Sequence, residues 1–255
     1  MPRIRLIGEL LTAPIDRGSF LLVECNPNSL WRVATHTIAE GWISDLGTVV
    51  YDTFTQTPED VRSKLSDFGL NVDELEQLRV PYENGGAIKI YDKVQQLHIY
   101  DWQSAIFGRS PNDGVRTYVG GGEGEPIDLS SICDQFRLPV DFRVHRVPEL
   151  RIGDDYSLLT PQRISEGEFV NLVLDKMIQY GHKKGSTILA GLTQSQLSEP
   201  ALRRLEASAA GVIKFTVRDG DTFVTVLMND ARDRDPHRLR KINSRVILEE
   251  EQSVT

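Results

Sequence analysis

Two hydrophobic periods alternate along the chain. The stretch from residue 19 to residue 23 is almost continuously apolar and predicts a buried strand. In the next stretch an apolar residue stands at every fourth position, at Leu30, Ala34, Ile38 and Trp42. This spacing brings the four side chains to one face and predicts a helix, which Asn28 or Ser29 is expected to cap. The first clear unit of the chain is therefore a strand followed by a helix.

The alternation continues through the rest of the sequence. Short apolar runs predict further strands at 48–51, 97–100, 142–147, 150–152 and 186–192. Helices are predicted at 57–69, 129–136, 165–181 and 198–210. Capping boxes begin two of these helices, Thr57 with Asp60 and Ser165 with Glu168. Finally, an Asp219-Gly220 turn between apolar runs at 212–217 and 222–228 predicts a β-hairpin.

Strands that alternate with helices are typical of α/β proteins. We therefore predict a three-layer α/β sandwich, with a mostly parallel central sheet covered on both faces and a C-terminal β-hairpin. The 255 residues are enough for one large core, so a single domain at 1–248 is expected. Glycine and proline concentrate at 103–135, which predicts a surface excursion. An acidic, frayed tail is expected at 249–255.

Composition and charge exclude several classes of protein. The chain has 40% hydrophobic and 26% charged residues, which is typical of a globular protein. No window approaches the ~18 consecutive apolar residues of a membrane span, and the N-terminal apolar stretch is too short for a secretory signal. We therefore expect a cytoplasmic protein without a membrane partner. Cys25 and Cys133 lack the spacing of a zinc site, and the five histidines are scattered.

A net charge of −8 disfavours nucleic acid as a partner, because phosphate backbones are repelled. One basic cluster near the C-terminus is the exception, formed by Arg232, Arg234, Arg238, Arg240 and Lys241. Aspartates interleave with these side chains, so a solvated and self-compensating face is the favoured interpretation. Binding of nucleic acid through the cluster is the alternative.

The turn between the first strand and the first helix, ECNPNSLWR at 24–32, contains no glycine. In many α/β proteins the turn at this point is glycine-rich and binds phosphate. The turn is therefore either an ordinary connection or a nucleotide site whose chemistry has been removed.

Several motifs, in order, make the sequence similar to the RecA-like ATPases of the KaiC type, which are abundant in archaea. LVECNPNSLWR resembles their first motif, roughly LISGDPGTGKT, and TQTPEDV followed by FGL resembles their EETPEDI and FGW. LRIGDDYSLL stands where their Walker B strand lies, and LEASAAGVIKF resembles their LE...ADGVI element. The resemblance covers most of residues 10–230 and implies the RecA/KaiC-like P-loop NTPase fold.

The departures from the first motif concern the phosphate-binding residues. The family's glycines let backbone N–H groups converge on the β-phosphate, its lysine reaches the β/γ oxygens, and its hydroxyl holds Mg²⁺. In the alignment with this chain, Trp31 replaces the lysine and Arg32 replaces the hydroxyl. The resemblance thus implies a vestigial nucleotide pocket formed by Cys25, Asn26, Pro27, Asn28, Ser29, Leu30, Trp31 and Arg32. Arg32 could restore some positive charge or simply point to solvent.

The second motif departs in the same direction. The family carries paired glutamates after its second strand, one of which is the general base, whereas this chain has Thr55 and Gln56. Asp154 and Asp155 stand at the Walker B position, as a vestigial metal site or as acidic residues that end a strand. Gln194 is a possible vestige of the polar sensor of RecA-like folds, or a loop residue.

These departures predict a pseudo-ATPase with no catalytic residue and no bound ATP or Mg²⁺. Such a chain would act as a regulatory or scaffolding module, with an active KaiC/RecA-like paralogue or a second copy as its partner. Two alternatives remain open from the sequence. One is an ATP-binding protein or weak ATPase, in which Arg32 and Asp154 act in a remodelled pocket with ATP and Mg²⁺. The other is a recombinase paralogue that binds DNA through the basic cluster.

Overall fold

The computed structural model describes residues 16–45, 47–76, 96–107, 128–137, 148–228 and 235–249. Four sequence predictions lie outside these residues. They are the strand at 142–147, residues 108–127 of the glycine-rich excursion, Arg232 with Arg234, and the tail after residue 249.

The strands of the described residues form one nine-stranded sheet in the order β3-β2-β4-β5-β1-β6-β7-β8-β9. They are β1 (Phe20–Cys25), β2 (Thr48–Thr53), β3 (Leu97–Asp101), β4 (Glu149–Gly153), β5 (Ser186–Thr193), β6 (Gly211–Arg218), β7 (Asp221–Met228), β8 (His237–Ile242) and β9 (Arg245–Leu248). The strands from β3 to β6 pair in parallel, and those from β6 to β9 pair antiparallel. The predicted α/β class, with a mostly parallel sheet and a C-terminal hairpin, is confirmed.

Helices cover both faces of the sheet. They are α1 (Trp31–Ser44), α2 (Pro58–Asp67), α3 (Val72–Glu76), α4 (Trp102–Phe107), α5 (Leu129–Asp134), α6 (Leu159–Gln162), α7 (Glu166–Leu172), α8 (Ile178–Lys184) and α9 (Glu199–Ser208). One apolar cluster joins the sheet to α1, α2 and α3, and a second joins it to α4 to α9. Every residue of β1, β2 and β5 is buried, as expected of parallel strands covered on both sides.

Local signals located most helix ends, and three predictions need correction. Both capping boxes are present, at Thr57 and at Ser165. However, α1 has no side-chain cap, because Leu30 precedes it where Asn28 or Ser29 was expected. The helix predicted to stop at residue 181 continues to Lys184 and ends at Gly185, whose φ is +72°. The predicted excursion also begins with a helix, α4, where a loop was expected.

The C-terminal strands form two successive hairpins. The first turn has Asp219 at φ 52° and Gly220 at φ 85°, the left-handed pair that a two-residue hairpin requires. The second hairpin, β8–β9, was not predicted, because only Leu239 and Val246 of its residues are buried. It lies against α1, where the Val246 N–H donates to the Thr37 hydroxyl at 3.1 Å.

Candidate functional site at the carboxyl edge of the sheet

The parallel strands β1, β4 and β5 end at the same edge of the sheet. The chain leaves β1 through α1 on one face, and it leaves β5 through α9 on the other. Ligands of open α/β sheets bind at such a switch point. Here the structure forms a cavity of about 40 Å³, lined by Cys25, Asn26, Pro27, Ser29, Trp31, Arg32, Thr55, Asp154, Asp155 and Thr193. Most of the predicted site residues thus lie together, whereas Asn28, Leu30, Gln56 and Gln194 do not line the cavity.

The first turn uses its backbone N–H groups within the protein. The Asn26 N–H donates to the Phe215 carbonyl at 3.0 Å, and the Ser29 N–H donates to the Asn26 carbonyl at 3.0 Å. The Leu30 N–H donates to the Thr222 hydroxyl at 3.2 Å. In a phosphate-binding turn, amides at such positions point together into open space. Three donors of this turn are instead satisfied by the turn itself and by the β6–β7 hairpin.

Trp31 lies in the crevice between the ends of β4 and β5. Its side chain is only 3% exposed, and its indole N–H donates to the Asp154 carbonyl at 2.8 Å. The ring packs on Phe215 with a centroid distance of 5.3 Å. Where Trp31 meets β5, the strand has a glycine, Gly191. A Cβ atom at this position would lie 2.5 Å from the indole nitrogen, so a larger residue would collide with the ring. Sequence reasoning missed Gly191, since its role depends on a contact across the sheet edge.

The carboxylate of Asp154 accepts hydrogen bonds from the loop after β2. One oxygen accepts from the Phe54 N–H at 2.7 Å. The other accepts from the Thr55 hydroxyl at 2.9 Å and from the Gln56 amide at 3.3 Å. The Thr55 N–H also donates, at 3.1 Å to the second oxygen. Thr55 and Gln56 stand where the KaiC-type family has its paired glutamates. They therefore hold Asp154, which stands at the Walker B position.

Burial raises the pKa of Asp154 from 3.8 to about 6, although its four donors act in the opposite direction. The donors favour the charged form, but removal from water disfavours it more strongly. Asp154 therefore gains or loses its proton near pH 6.

Asp155 is held by a second set of partners. It accepts from the Thr193 hydroxyl at 2.7 Å, from the Thr193 N–H at 3.2 Å and from the Ser157 hydroxyl. Burial raises its pKa above the usual value. The side chain thus connects the end of β4 to the end of β5 as a structural acceptor.

A polar chain runs from Asp154 into the layer beneath α1. The Gln56 amide also donates to the Tyr51 hydroxyl at 3.1 Å, and this hydroxyl is hydrogen-bonded to Thr35. His36 stacks on the Tyr51 ring with a centroid distance of 6.0 Å. Burial lowers the pKa of His36 from 6.5 to about 4, so this imidazole is neutral at pH 7.

The remaining predicted residues have other surroundings. Arg32 is exposed at the mouth of the cavity. Gln194 donates to the buried Glu24 at 2.6 Å, and Lys214 pairs with the same glutamate at 3.1 Å. Cys25 is a buried thiol whose pKa burial raises to about 12. At neutral pH Cys25 is therefore protonated and unreactive.

Two arginines in the described part of the basic cluster are paired with acidic side chains. Arg238 pairs with Asp221 at 2.6 Å and with Glu249 at 3.2 Å. Arg240 pairs with Glu249 at 2.6 Å. Both arginines are thus paired with acidic residues from outside the cluster, whereas the sequence prediction rested on aspartates interleaved within it.

Two further features, a metal-binding group and a membrane-spanning helix, are absent from the described residues. No three His, Cys, Asp or Glu side chains there form a group that could hold a metal ion. Nor does any helix in the described ranges have both the length and the apolar character needed to span a membrane.

Comparison with known proteins identifies the fold through solved structures. No protein-family profile and no curated protein matches the sequence. The KaiC-like protein PH0186 of the hyperthermophilic archaeon Pyrococcus horikoshii superposes with a TM-score of 0.63 at 14% identity, over 97% of this chain and 97% of that chain. The uncharacterised protein PH0321 of the same organism, solved with an unknown peptide, gives 0.62 at 13% identity over 94% of each chain.

The flagellar accessory protein FlaH of Methanocaldococcus jannaschii is a more distant neighbour. Its TM-score is 0.51 at 14% identity, over 92% of this chain and 91% of that chain. At sequence identities this low, the similarity concerns the backbone fold and carries no information on activity. This chain therefore has the fold of the KaiC-like and related archaeal RecA-like proteins.

Proposed function

We propose that this chain is a KaiC/RecA-like domain that does not hydrolyse ATP and that acts by binding other proteins. The observation that carries the proposal is the position of Trp31, which packs on Phe215 and donates its indole N–H to the Asp154 carbonyl. The proposed role is that of a regulatory or scaffolding subunit.

The free volume beside Trp31 is too small for a triphosphate. The cavity of about 40 Å³ has room for about one to four water molecules, since a water-sized probe fills ~10–15 Å³ and a water's share of liquid volume is ~30 Å³. Seating the phosphates would require the indole to leave Phe215 and to break its hydrogen bond to Asp154. It would also require Asn26, Ser29 and Leu30 to release the acceptors of their N–H groups.

The acidic residues do not fit Mg²⁺ as they stand. Mg²⁺ binds through one or two carboxylates together with phosphate oxygens and water. Both oxygens of Asp154 already accept hydrogen bonds from Phe54, Thr55 and Gln56. Asp155 is engaged by Ser157 and Thr193. A metal ion would have to displace these donors without a phosphate to complete its coordination.

A general base is also missing from the loop after β2. Neither the hydroxyl of Thr55 nor the amide of Gln56 can take a proton from water at neutral pH. In their present contacts the two side chains hold Asp154. This supports a structural role for the loop.

A protein partner is the remaining part of the proposal. The neighbour PH0321 was solved in complex with an unknown peptide, which shows that one protein of this fold binds a peptide. We extend this to the present chain, with an active KaiC/RecA-like paralogue or a second copy as the candidate partners.

Phosphate release and thermal unfolding test the proposal together. Purified protein with ATP and Mg²⁺ should release no phosphate above the buffer rate, and millimolar ATP should leave the Tm unchanged. A ligand at ~100 times its Kd would add ~2.7 kcal/mol to stability, so binding would be visible. Phosphate release that disappears when Asp154 and Asp155 are both changed to Asn would overturn the proposal.

One observation favours a second candidate function. Arg32 is exposed and lines the cavity, so its guanidinium could contact a phosphate from outside without displacing Trp31. A Tm increase with ATP that is lost in Arg32→Ala, without phosphate release, would identify this chain as a nucleotide-binding protein that does not hydrolyse.

A further inference from the structure

We propose that a groove between α5 and α8, on the face of the sheet opposite to Trp31, binds a small aromatic anion. The groove has a volume of about 420 Å³ and is lined by Cys133, Asp134, Phe136, Arg137, Asp175, Lys176, Gln179, Tyr180 and Lys183. This volume lies within the ~300–1,000 Å³ of small-ligand pockets. The proposal is independent of the function proposed above.

One wall of the groove contains an irregular helical turn. Between α7 and α8 the residues Val173–Met177 form a π-helical turn, in which the Ile178 N–H donates to the Val173 carbonyl five positions earlier. Such turns are rare and frequently occur at functional sites. Asp175 and Lys176 of this turn line the groove. The irregular turn thus coincides with the cavity.

The base of the groove is aromatic. Phe136 and Tyr180 are 5% and 8% exposed and meet edge to face, with a centroid distance of 5.9 Å. Beneath them the Arg151 guanidinium lies 4.3 Å from the Phe136 centroid, and its charge is paired with Asp52. A flat ring entering the groove would meet the small part of these two rings that remains exposed, and aromatic pairs are favourable beyond their buried area.

The rim of the groove carries three basic side chains, Lys176, Lys183 and Arg137. Lys176 and Lys183 are exposed side chains of the same helical run, and neither forms a salt bridge with a residue of the described chain. Arg137 is held only loosely by Asp134, at 3.8 Å and with both side chains mostly exposed. The lining of the groove thus holds three basic side chains and two acidic ones, Asp134 and Asp175, so the basic side chains are in excess by one.

This combination selects the class of ligand. An inorganic anion would use the lysines but would leave the aromatic base uncovered, and a neutral ring would leave the lysines unused. A ring that carries a phosphate or carboxylate satisfies both, because the ring can contact the exposed parts of Phe136 and Tyr180 while its charge reaches Lys176 and Lys183. A ligand of this kind also fits the volume of the groove.

Cys133 provides a direct measurement of occupancy. The chain has two cysteines, and Cys25 is buried whereas Cys133 is partly exposed in the groove. A disulfide reagent such as 5,5′-dithiobis(2-nitrobenzoate) should therefore react with the folded protein at Cys133, and Cys133→Ser should abolish the fast phase. We expect 1-naphthyl phosphate to slow this reaction saturably, by about tenfold at ten times its Kd. Equal concentrations of inorganic phosphate or of 1-naphthol should have little effect.

Paired lysine variants decide whether the groove is responsible. In the double variant Lys176→Ala and Lys183→Ala, the same protection should require a ligand concentration at least ten times higher. The control, Lys64→Ala with Arg203→Ala, removes two exposed cations from other helices and should keep it. Rates with and without ligand are compared within each variant, because burial raises the pKa of Cys133 and the charge of Lys176, which the double variant removes, opposes this shift. No protection at 10 mM 1-naphthyl phosphate, protection by phosphate alone, or protection that survives in the double variant would each overturn the proposal.

Discussion

A single side chain, the indole of Trp31, occupies the part of the sheet edge at which the sequence predicts a nucleotide pocket. Its neighbours are adapted to it, because Gly191 leaves space for the ring and the Asp154 carbonyl accepts its N–H. Asp154 in turn is held by Thr55 and Gln56. The residues that depart from the KaiC-type motifs, Trp31, Thr55 and Gln56, thus share Asp154 as a hydrogen-bond acceptor, which supports their interpretation as a joint change.

Trp31 should contribute strongly to stability. Trp31→Ala removes a buried ring and should lower the free energy of unfolding by ~3–5 kcal/mol. Trp31→Phe is the matched variant, since it keeps a ring but leaves the Asp154 carbonyl without its donor, at a cost of ~1–3 kcal/mol. Urea denaturation measures both values. A loss below ~1 kcal/mol for the alanine variant would show that the ring is not packed as described.

Asp154 should make the protein less stable as the pH rises from about 4 to about 6. Its pKa is raised by burial from 3.8 to about 6 in the folded protein, so the folded state holds the proton more tightly than the unfolded chain. The stability gained from this proton is present at low pH and is lost through that window. Relative to the wild type, Asp154→Asn should therefore gain up to about 3 kcal/mol between pH 4 and pH 6. If the difference in stability between the variant and the wild type stayed constant across this range, Asp154 would not have the raised pKa of a buried carboxyl.

His36 should have the opposite pH dependence in an overlapping window. Burial lowers its pKa from 6.5 to about 4, so the unfolded chain binds the proton more tightly. The contribution of His36 is therefore lost as the pH falls from about 6.5 to about 4. The side chain of the variant His36→Leu cannot be protonated. As the pH falls through this interval, its free energy of unfolding should therefore rise by up to about 3 kcal/mol relative to the wild type. Urea titrations at several pH values that show parallel curves for the two proteins would contradict the assignment.

At the scale of elements, the first turn is fixed to the β6–β7 hairpin. The Asn26 side chain accepts from the Val217 N–H at 2.9 Å, while the Leu30 N–H donates to Thr222 at 3.2 Å. This attachment supports the proposal that the turn is an ordinary strand-to-helix connection. The hairpin therefore determines which direction the turn's amides face.

Removing the acceptor in β7 should loosen the turn. Thr222→Val keeps the size of the side chain but leaves the Leu30 N–H without its partner, and we expect faster hydrogen exchange at Leu30 and a loss of ~1–3 kcal/mol. Thr222→Ser retains the hydroxyl and should exchange like the wild type. Equal protection of Leu30 in the valine variant would mean that its amide has another acceptor.

Rules that act within a few residues located the elements, while long-range contacts were not predictable. The capping boxes of Thr57 and Ser165 lie three residues from their partners and were found. The start of α1 was misplaced, because its Leu30 amide is satisfied by Thr222, which is 192 residues away. Gly181 was taken as a helix end, but a Cβ there would lie 3.0 Å from the Ser186 carbonyl oxygen, so close packing explains this glycine. Strand β8 was not predicted, because its charged residues interrupt the alternation of apolar and polar positions that is typical of a strand.

At the scale of the whole molecule, the sheet separates two regions with different chemistry. The crevice beside α1 is filled by Trp31, whereas the groove between α5 and α8 on the opposite face is open. The resemblance in sequence predicted the fold and the residues at the sheet edge. It did not predict the groove, because its residues come from two separated helices with no shared motif.

The most direct measurement is a crystal structure of the protein soaked with Mg²⁺ and a non-hydrolysable ATP analogue. We predict that Trp31 keeps its contacts with Phe215 and the Asp154 carbonyl, and that no phosphate lies between β1 and α1. Electron density for the phosphates at that position, with the indole displaced, would contradict the proposed loss of ATP binding.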